Sequence, residues 1–194
     1  MRIFLKAAAV AVTTAALLTV SFSPANAIDN QIVSGNVTAG GLSAAVSGAS
    51  LSSVALGSAT SQVASGSANS TWTITDARGS GAAWSLTASG TDFTSAAGSV
   101  DTTPRTLPIG NLVINPGTVT AAGGADNAPS TSPVTMTNSA QPLVGASAGG
   151  YKGTFTLTPS FALTVPANAF RSNFATGNSG PLNPYISTLT FTIA

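Results

Sequence analysis

The residues able to do chemistry are few, and their types narrow the possibilities quickly. Five acidic side chains, all Asp, stand against six basic ones, and there is no Glu, His or Cys among the 194 residues. A Ser-His-Asp or Cys-His site needs an imidazole, and imidazole or thiolate metal sites need His or Cys, so these classes are excluded. The Asp residues show no D-x-D-x-D spacing, the pattern by which one loop gathers oxygens around calcium. Isolated among Gly, Ser and Thr, they read as turn-formers and caps. Asp101-Thr102-Thr103 resembles half of an aspartic-protease site, but Thr103 stands where Gly is needed and no second copy exists. Lys152 beside a serine would need a desolvated pocket to act as a base, and Gly149-Gly150-Tyr151 offers none. The sequence therefore holds no catalytic set, no metal ligands and no cofactor motif.

What remains is contact chemistry. An exposed Trp72 or Trp84 could stack on a sugar ring, while Ser, Thr and Asn exchange hydrogen bonds with glycan hydroxyls and peptide amides. The competing reading is structural: Trp72, Trp84, Tyr185 and Phe191 lie in alternating stretches, where aromatics most often fill a core. No clustered basic residues exist to hold nucleic acid. Asn36-Val37-Thr38 and Asn69-Ser70-Thr71 are formal glycosylation sequons, which a Ser/Thr-rich chain generates by frequency alone.

The elements that must position these residues follow from composition. Ser (26), Thr (27), Ala (34) and Gly (20) make up just over half of the chain. The first 27 residues have the proportions of a cleaved secretory signal peptide: Arg2 and Lys6, an apolar stretch from Ala7 to Val20, then Ala25-Asn26-Ala27 as an A-x-A cleavage site. That apolar stretch is short for a span of about 20 residues, so no membrane association is expected after cleavage. Residues 28–194 then form a single domain with four basic side chains and five Asp. Solubilised by hydroxyls instead of charge, such a chain suits a surface or matrix component. No covalent anchor is apparent, since Leu107-Pro108-Ile109-Gly110 lacks the Thr of a sortase signal and sits mid-chain.

Val, Ile, Thr, Phe and Trp interrupted by Gly, Pro and Asn predict strands nearly throughout. Residues 28–70 alternate only weakly and predict thin strands with poorly determined register. Thr71 to Thr94 is sharper: Trp72 and Ile74 share one face, Trp84 and Leu86 another, and Asp76 to Gly81 between them predicts a β-hairpin. Pro116-Gly117 marks a tight turn, and Gly123 to Gly150 reads as loops around one strand near Val134 to Thr137. Thr154 to Thr158 and Phe161 to Val165 alternate on either side of Pro159, and the last strand places Leu189, Phe191 and Ile193 on one face, with Thr188, Thr190 and Thr192 on the other. The expected class is all-β: an antiparallel sandwich of eight to ten strands, Ig-like in general architecture.

These residues resemble the WxL-domain surface proteins of Gram-positive bacteria, named for a Trp-x-Leu signature and a closing Leu-Thr-Trp-x-Leu. Trp84-Ser85-Leu86, preceded by Asp76-Ala77-Arg78-Gly79, matches the first. Tyr185, Leu189 and Thr190 match the second, with Phe191 in place of Trp and Ile193 in place of Leu. The resemblance implies non-covalent attachment to cell-wall peptidoglycan, with other surface proteins as further partners. The alternative is a structural subunit of a surface layer or extracellular matrix, assembling through edge strands.

Overall fold

The computed structural model describes residues 33–57 and 59–194, so the expected signal peptide, residues 1–27, lies outside the described residues. Val33 to Val37 carry no regular secondary structure, and Thr38–Ala194 forms one compact unit. It holds fourteen strands: β1 (Leu42–Ala45), β2 (Gln62–Ser67), β3 (Trp72–Asp76), β4 (Trp84–Gly90), β5 (Phe93–Ser95), β6 (Arg105–Leu107), β7 (Leu112–Asn115), β8 (Thr120–Ala121), β9 (Val134–Thr135), β10 (Gln141–Ala146), β11 (Gly153–Leu157), β12 (Ser160–Val165), β13 (Tyr185–Ile186) and β14 (Leu189–Ile193). The described residues contain no α-helix, only a 3-10 turn at Ile109–Asn111. Eight to ten strands were expected; the excess comes from five pieces of two or three residues.

Every pairing is antiparallel, in four sheets ordered β1-β3-β11-β8, β2-β12-β7-β9, β10-β4-β14 and β13-β5-β6. The first two are halves of one sheet that turns a corner. β2 and β3 run along β12 and β11, and β7 and β8 run along the same two strands on the other side. The corner is Pro159, which cannot donate to a ladder; its carbonyl still accepts Ala68 N–H at 2.9 Å. The other two sheets are joined likewise, since β4 and β5 run along β14 and β13. There Thr91 N–H donates to Thr188 C=O at 3.1 Å, and Ser187 Oγ donates to Thr91 C=O at 2.6 Å. Two bent sheets thus face each other across one core, with Trp72 of β3 against Phe191 of β14 and Trp84 of β4 against Phe155 of β11.

Three sequence expectations need correction. Trp72–Asp76 and Trp84–Gly90 are strands, but they do not form a hairpin: β3 pairs with β1 and β11, β4 with β10 and β14. Alternation fixes which face is apolar but not which strand lies alongside, and here residues 77–83 arch from one sheet to the other, so that both indoles enter the core from opposite walls. Pro116-Gly117 does not reverse the chain; with Gly117 at φ 72° it carries β7 into β8 around the corner. Gln141–Ala146 is a full strand read as loop, masked by Pro142 and Gly145, and it carries a register shift between Pro142 and Val144.

A buried polar knot ties β5 to the long C-terminal connection. Ser95 is fully buried, its hydroxyl donating to Asn183 C=O at 2.6 Å and accepting Asn173 N–H at 2.9 Å. Asn173 Nδ2 donates to the carbonyls of Ala96 and Thr103. Ser95→Ala leaves the buried Asn173 N–H without its acceptor, and is expected to cost about 1–3 kcal/mol, read as a lower denaturation midpoint at unchanged m-value.

Candidate functional site

The expected site residues separate into a core group and an edge group. Trp72 is 0% and Trp84 3% exposed, so neither ring is offered to a ligand. The Trp72 indole N–H donates to Ser47 C=O at 3.0 Å, and its ring meets Phe191 and Phe161 edge-on, with centroids 4.9 and 6.3 Å away. Leu86 is buried and stands opposite Val144 on one side and Ile193 on the other. Leu189, Phe191 and Ile193 are only half-buried and Thr190 is exposed, because β14 is a sheet edge. Tyr185 lies apart on β13, where its hydroxyl donates to Phe170 C=O at 3.0 Å and partial burial raises its pKa above the usual phenol value.

Trp84 leads instead to the loops at one end of the molecule. Its indole N–H donates to the Tyr151 carbonyl at 3.2 Å, so the signature Trp grips residues 147–152 from within. The same loop is held by Gly149 N–H to Gly81 C=O at 2.8 Å and by Lys152, whose backbone N–H and Nζ reach Asp126 Oδ2 at 2.9 and 2.7 Å. Tyr151 has φ 63°, alone among the described non-glycine residues in taking a positive φ. A bulky side chain there costs about 1–3 kcal/mol, and the surrounding ties keep it from relaxing. Ala125 to Asn127 and Ala148 to Lys152 line an open, polar depression of about 530 Å³.

The neighbouring loop is set by Asp76, 1% exposed at the end of β3. Arg78 grips its carboxylate with Nε at 3.0 Å and an Nη at 2.9 Å, and the same Nη donates to Ala82 C=O at 2.9 Å. Hydrogen bonding from the Arg78 side chain holds the Asp76 carboxyl below its usual range, against the opposing effect of burial. The Lys152 side chain likewise lowers Asp126.

A second concavity, about 310 Å³ and apolar, lies between residues 46–51 and β14, with Leu189, Phe191 and Phe161 in its wall.

A family model for the WxL domain, described as a surface cell wall-binding domain, matches residues 31–173. The chain belongs to the WxL-domain family. Comparison with curated proteins and with solved structures gave no match. Within this WxL domain the matched stretch contains Trp84-Ser85-Leu86 and both halves of the Tyr151 depression, and stops before β13 and β14. The closing likeness from Tyr185 to Ile193 therefore rests on its own residues. By the family's description, a WxL domain is a binding domain of the cell surface whose partner is the wall. No described helix is long and apolar enough to cross a membrane.

Sequence reasoning singled out Trp84 but missed what it holds. Tyr151 was legible only as an aromatic after two glycines, since nothing in a residue's identity announces a positive φ that its surroundings impose.

Proposed function

We propose that this WxL domain is exported, loses residues 1–27 and attaches non-covalently to the peptidoglycan of a Gram-positive wall. The observation that carries the reading, beside the family's description, is that among the described residues every basic side chain is already paired with an Asp. Arg78, Arg105, Lys152 and Arg171 all sit in ion pairs with Asp76, Asp101 or Asp126, and Asp92 accepts Ile109 N–H at 2.9 Å. Attachment thus runs through hydroxyls, amides and aromatic faces, not through long-range charge. Residues 28–194 are expected to sediment with washed insoluble peptidoglycan to the same extent at low and high salt. Protein left in the supernatant at both would end the reading.

A second reading, docking of other surface proteins or assembly through edge strands, is favoured by β14. Thr91 N–H bonds Thr188 C=O, and Ser85 and Ala194 exchange two hydrogen bonds, so the even-numbered residues of β14 face β4. By alternation the N–H and C=O groups of Leu189, Phe191 and Ile193 point outward, on a strand without a charged residue. Self-assembly through this edge predicts a weight-average mass rising with concentration in sedimentation equilibrium; a flat profile refutes it.

A further inference from the structure

We infer that the Tyr151 depression is the wall-contact site and that it takes a neutral sugar ring of the glycan strand, with Trp84 as its positioning residue. The inference rests on the proposed peptidoglycan attachment and adds to it the place, the ligand chemistry and the task of the signature Trp.

The chemistry of the lining decides between the two components of the wall polymer. A stem peptide brings free carboxylates and amines, which call for an unpaired opposite charge. The two charges in the depression, Asp126 and Lys152, are 2.7 Å apart and neutralise each other. What is left to a ligand is the Tyr151 phenol, half-buried with its ring partly packed on the core, the Asn127 amide, the Gly149 carbonyl and the backbone of Gly150. An aromatic ring beside amides and uncommitted backbone groups matches a pyranose, which has an apolar face for stacking and a rim of hydroxyls and acetamido groups for hydrogen bonding. The depression, about 530 Å³, falls within the range of small-ligand sites.

At φ 63° a glycine would sit without strain, and Gly149 and Gly150 immediately precede. A tyrosine is instead held there by ties on both sides: Gly149 N–H to Gly81, the Tyr151 carbonyl to the Trp84 indole, and both nitrogens of Lys152 to Asp126. Backbone strain sustained by several independent bonds marks a group placed for contact. The arrangement also accounts for a buried Trp in the signature of a binding domain: the indole fixes the carbonyl of the residue that makes the contact.

The test uses residues 28–194 as wild type, Tyr151→Gly, Trp84→Phe and the double variant. Each is sedimented with washed insoluble peptidoglycan and titrated by NMR with a soluble N-acetylglucosamine oligomer that carries no stem peptide, with thermal melts beside them. Tyr151→Gly is expected to melt within a few degrees of wild type, because relief of the strained backbone offsets the lost ring contacts, and to bind both probes at least tenfold more weakly. Trp84→Phe keeps a ring in the core but loses the N–H, and is expected to weaken binding less. The double variant should bind no more weakly than Tyr151→Gly alone, a non-additivity that a purely structural Trp84 does not produce. If wild type sediments and a folded Tyr151→Gly sediments equally well, this site is wrong and wall attachment stands. Competition by free stem peptide with no oligomer shifts overturns the sugar assignment. If wild type does not sediment, the attachment reading fails and takes this inference with it.

Discussion

Trp72→Ala is expected to lose about 3–5 kcal/mol of stability, the usual cost of truncating a buried Trp. Trp72 is fully buried where the corner-turning sheet meets the opposite one, and its ring contacts join β12 and β14 to β3. Truncation opens a cavity between Phe161 and Phe191 and strips the Ser47 carbonyl of its indole donor. A domain of this size has about 5–15 kcal/mol in all, so the variant should be marginal at room temperature. Urea denaturation followed by circular dichroism measures the loss. Trp72→Phe, which keeps an aromatic ring, should recover more than half of it. A Trp72→Ala cost below about 1 kcal/mol would mean that the sheets are held together elsewhere.

The second large effect is a pH dependence confined to acid. No His, Glu or Cys is present, so no side chain of ordinary pKa titrates between about pH 5 and about pH 9. Asp76 is held below the usual carboxylate range chiefly by the Arg78 side-chain hydrogen bonds. A folded-state pKa below the unfolded one means that its stabilisation is fully present above about pH 4 and is lost as pH falls through the lower folded value. Asp126, lowered by Lys152, adds in the same direction from a more exposed position, where screening leaves it little weight. Melting temperatures should be flat across neutral pH and fall only in acid. Asp76→Asn should melt well below wild type at neutral pH, since it leaves Arg78 facing an amide where it had a carboxylate. The two curves should converge in strong acid, as the pH falls through that lower folded value. Parallel curves down to that pH would assign the acid loss to other groups.

How much of this was legible in the sequence depends on whether the physics was local. Strand positions were, because alternation is a property of a few adjacent residues: Trp72 to Asp76, Trp84 to Leu86, and the two stretches flanking Pro159 all appear where the pattern puts them. Partnership was not. The Asp76-to-Gly81 stretch looks like a hairpin turn, yet Arg78 uses it as an arch by gripping both Asp76 and the carbonyl of Ala82. β10 was lost because Pro142 and Gly145 break the pattern that would have revealed it, although it pairs with β4 over most of its length. For the site, the aromatics were found but their depth was not. Phe191 looks like part of a core face and is half-exposed because its strand has a neighbour on one side only. Tyr151 carries no sequence pattern at all.

The corner-turning sheets also set a tempo. Trp84 of β4 pairs with Ala146 and Leu86 with Ile193, while Trp72 of β3 pairs with Leu157, so every central ladder joins residues that are many tens of positions apart. Loops of that length must close before those central ladders contribute, and chains built this way fold in milliseconds to seconds, not microseconds. For the export proposed above, that delay is useful: a polypeptide that cannot pair β4 until β10 and β14 have emerged stays threadable during passage. In that proposed export its arched loops and buried indoles form only on the far side.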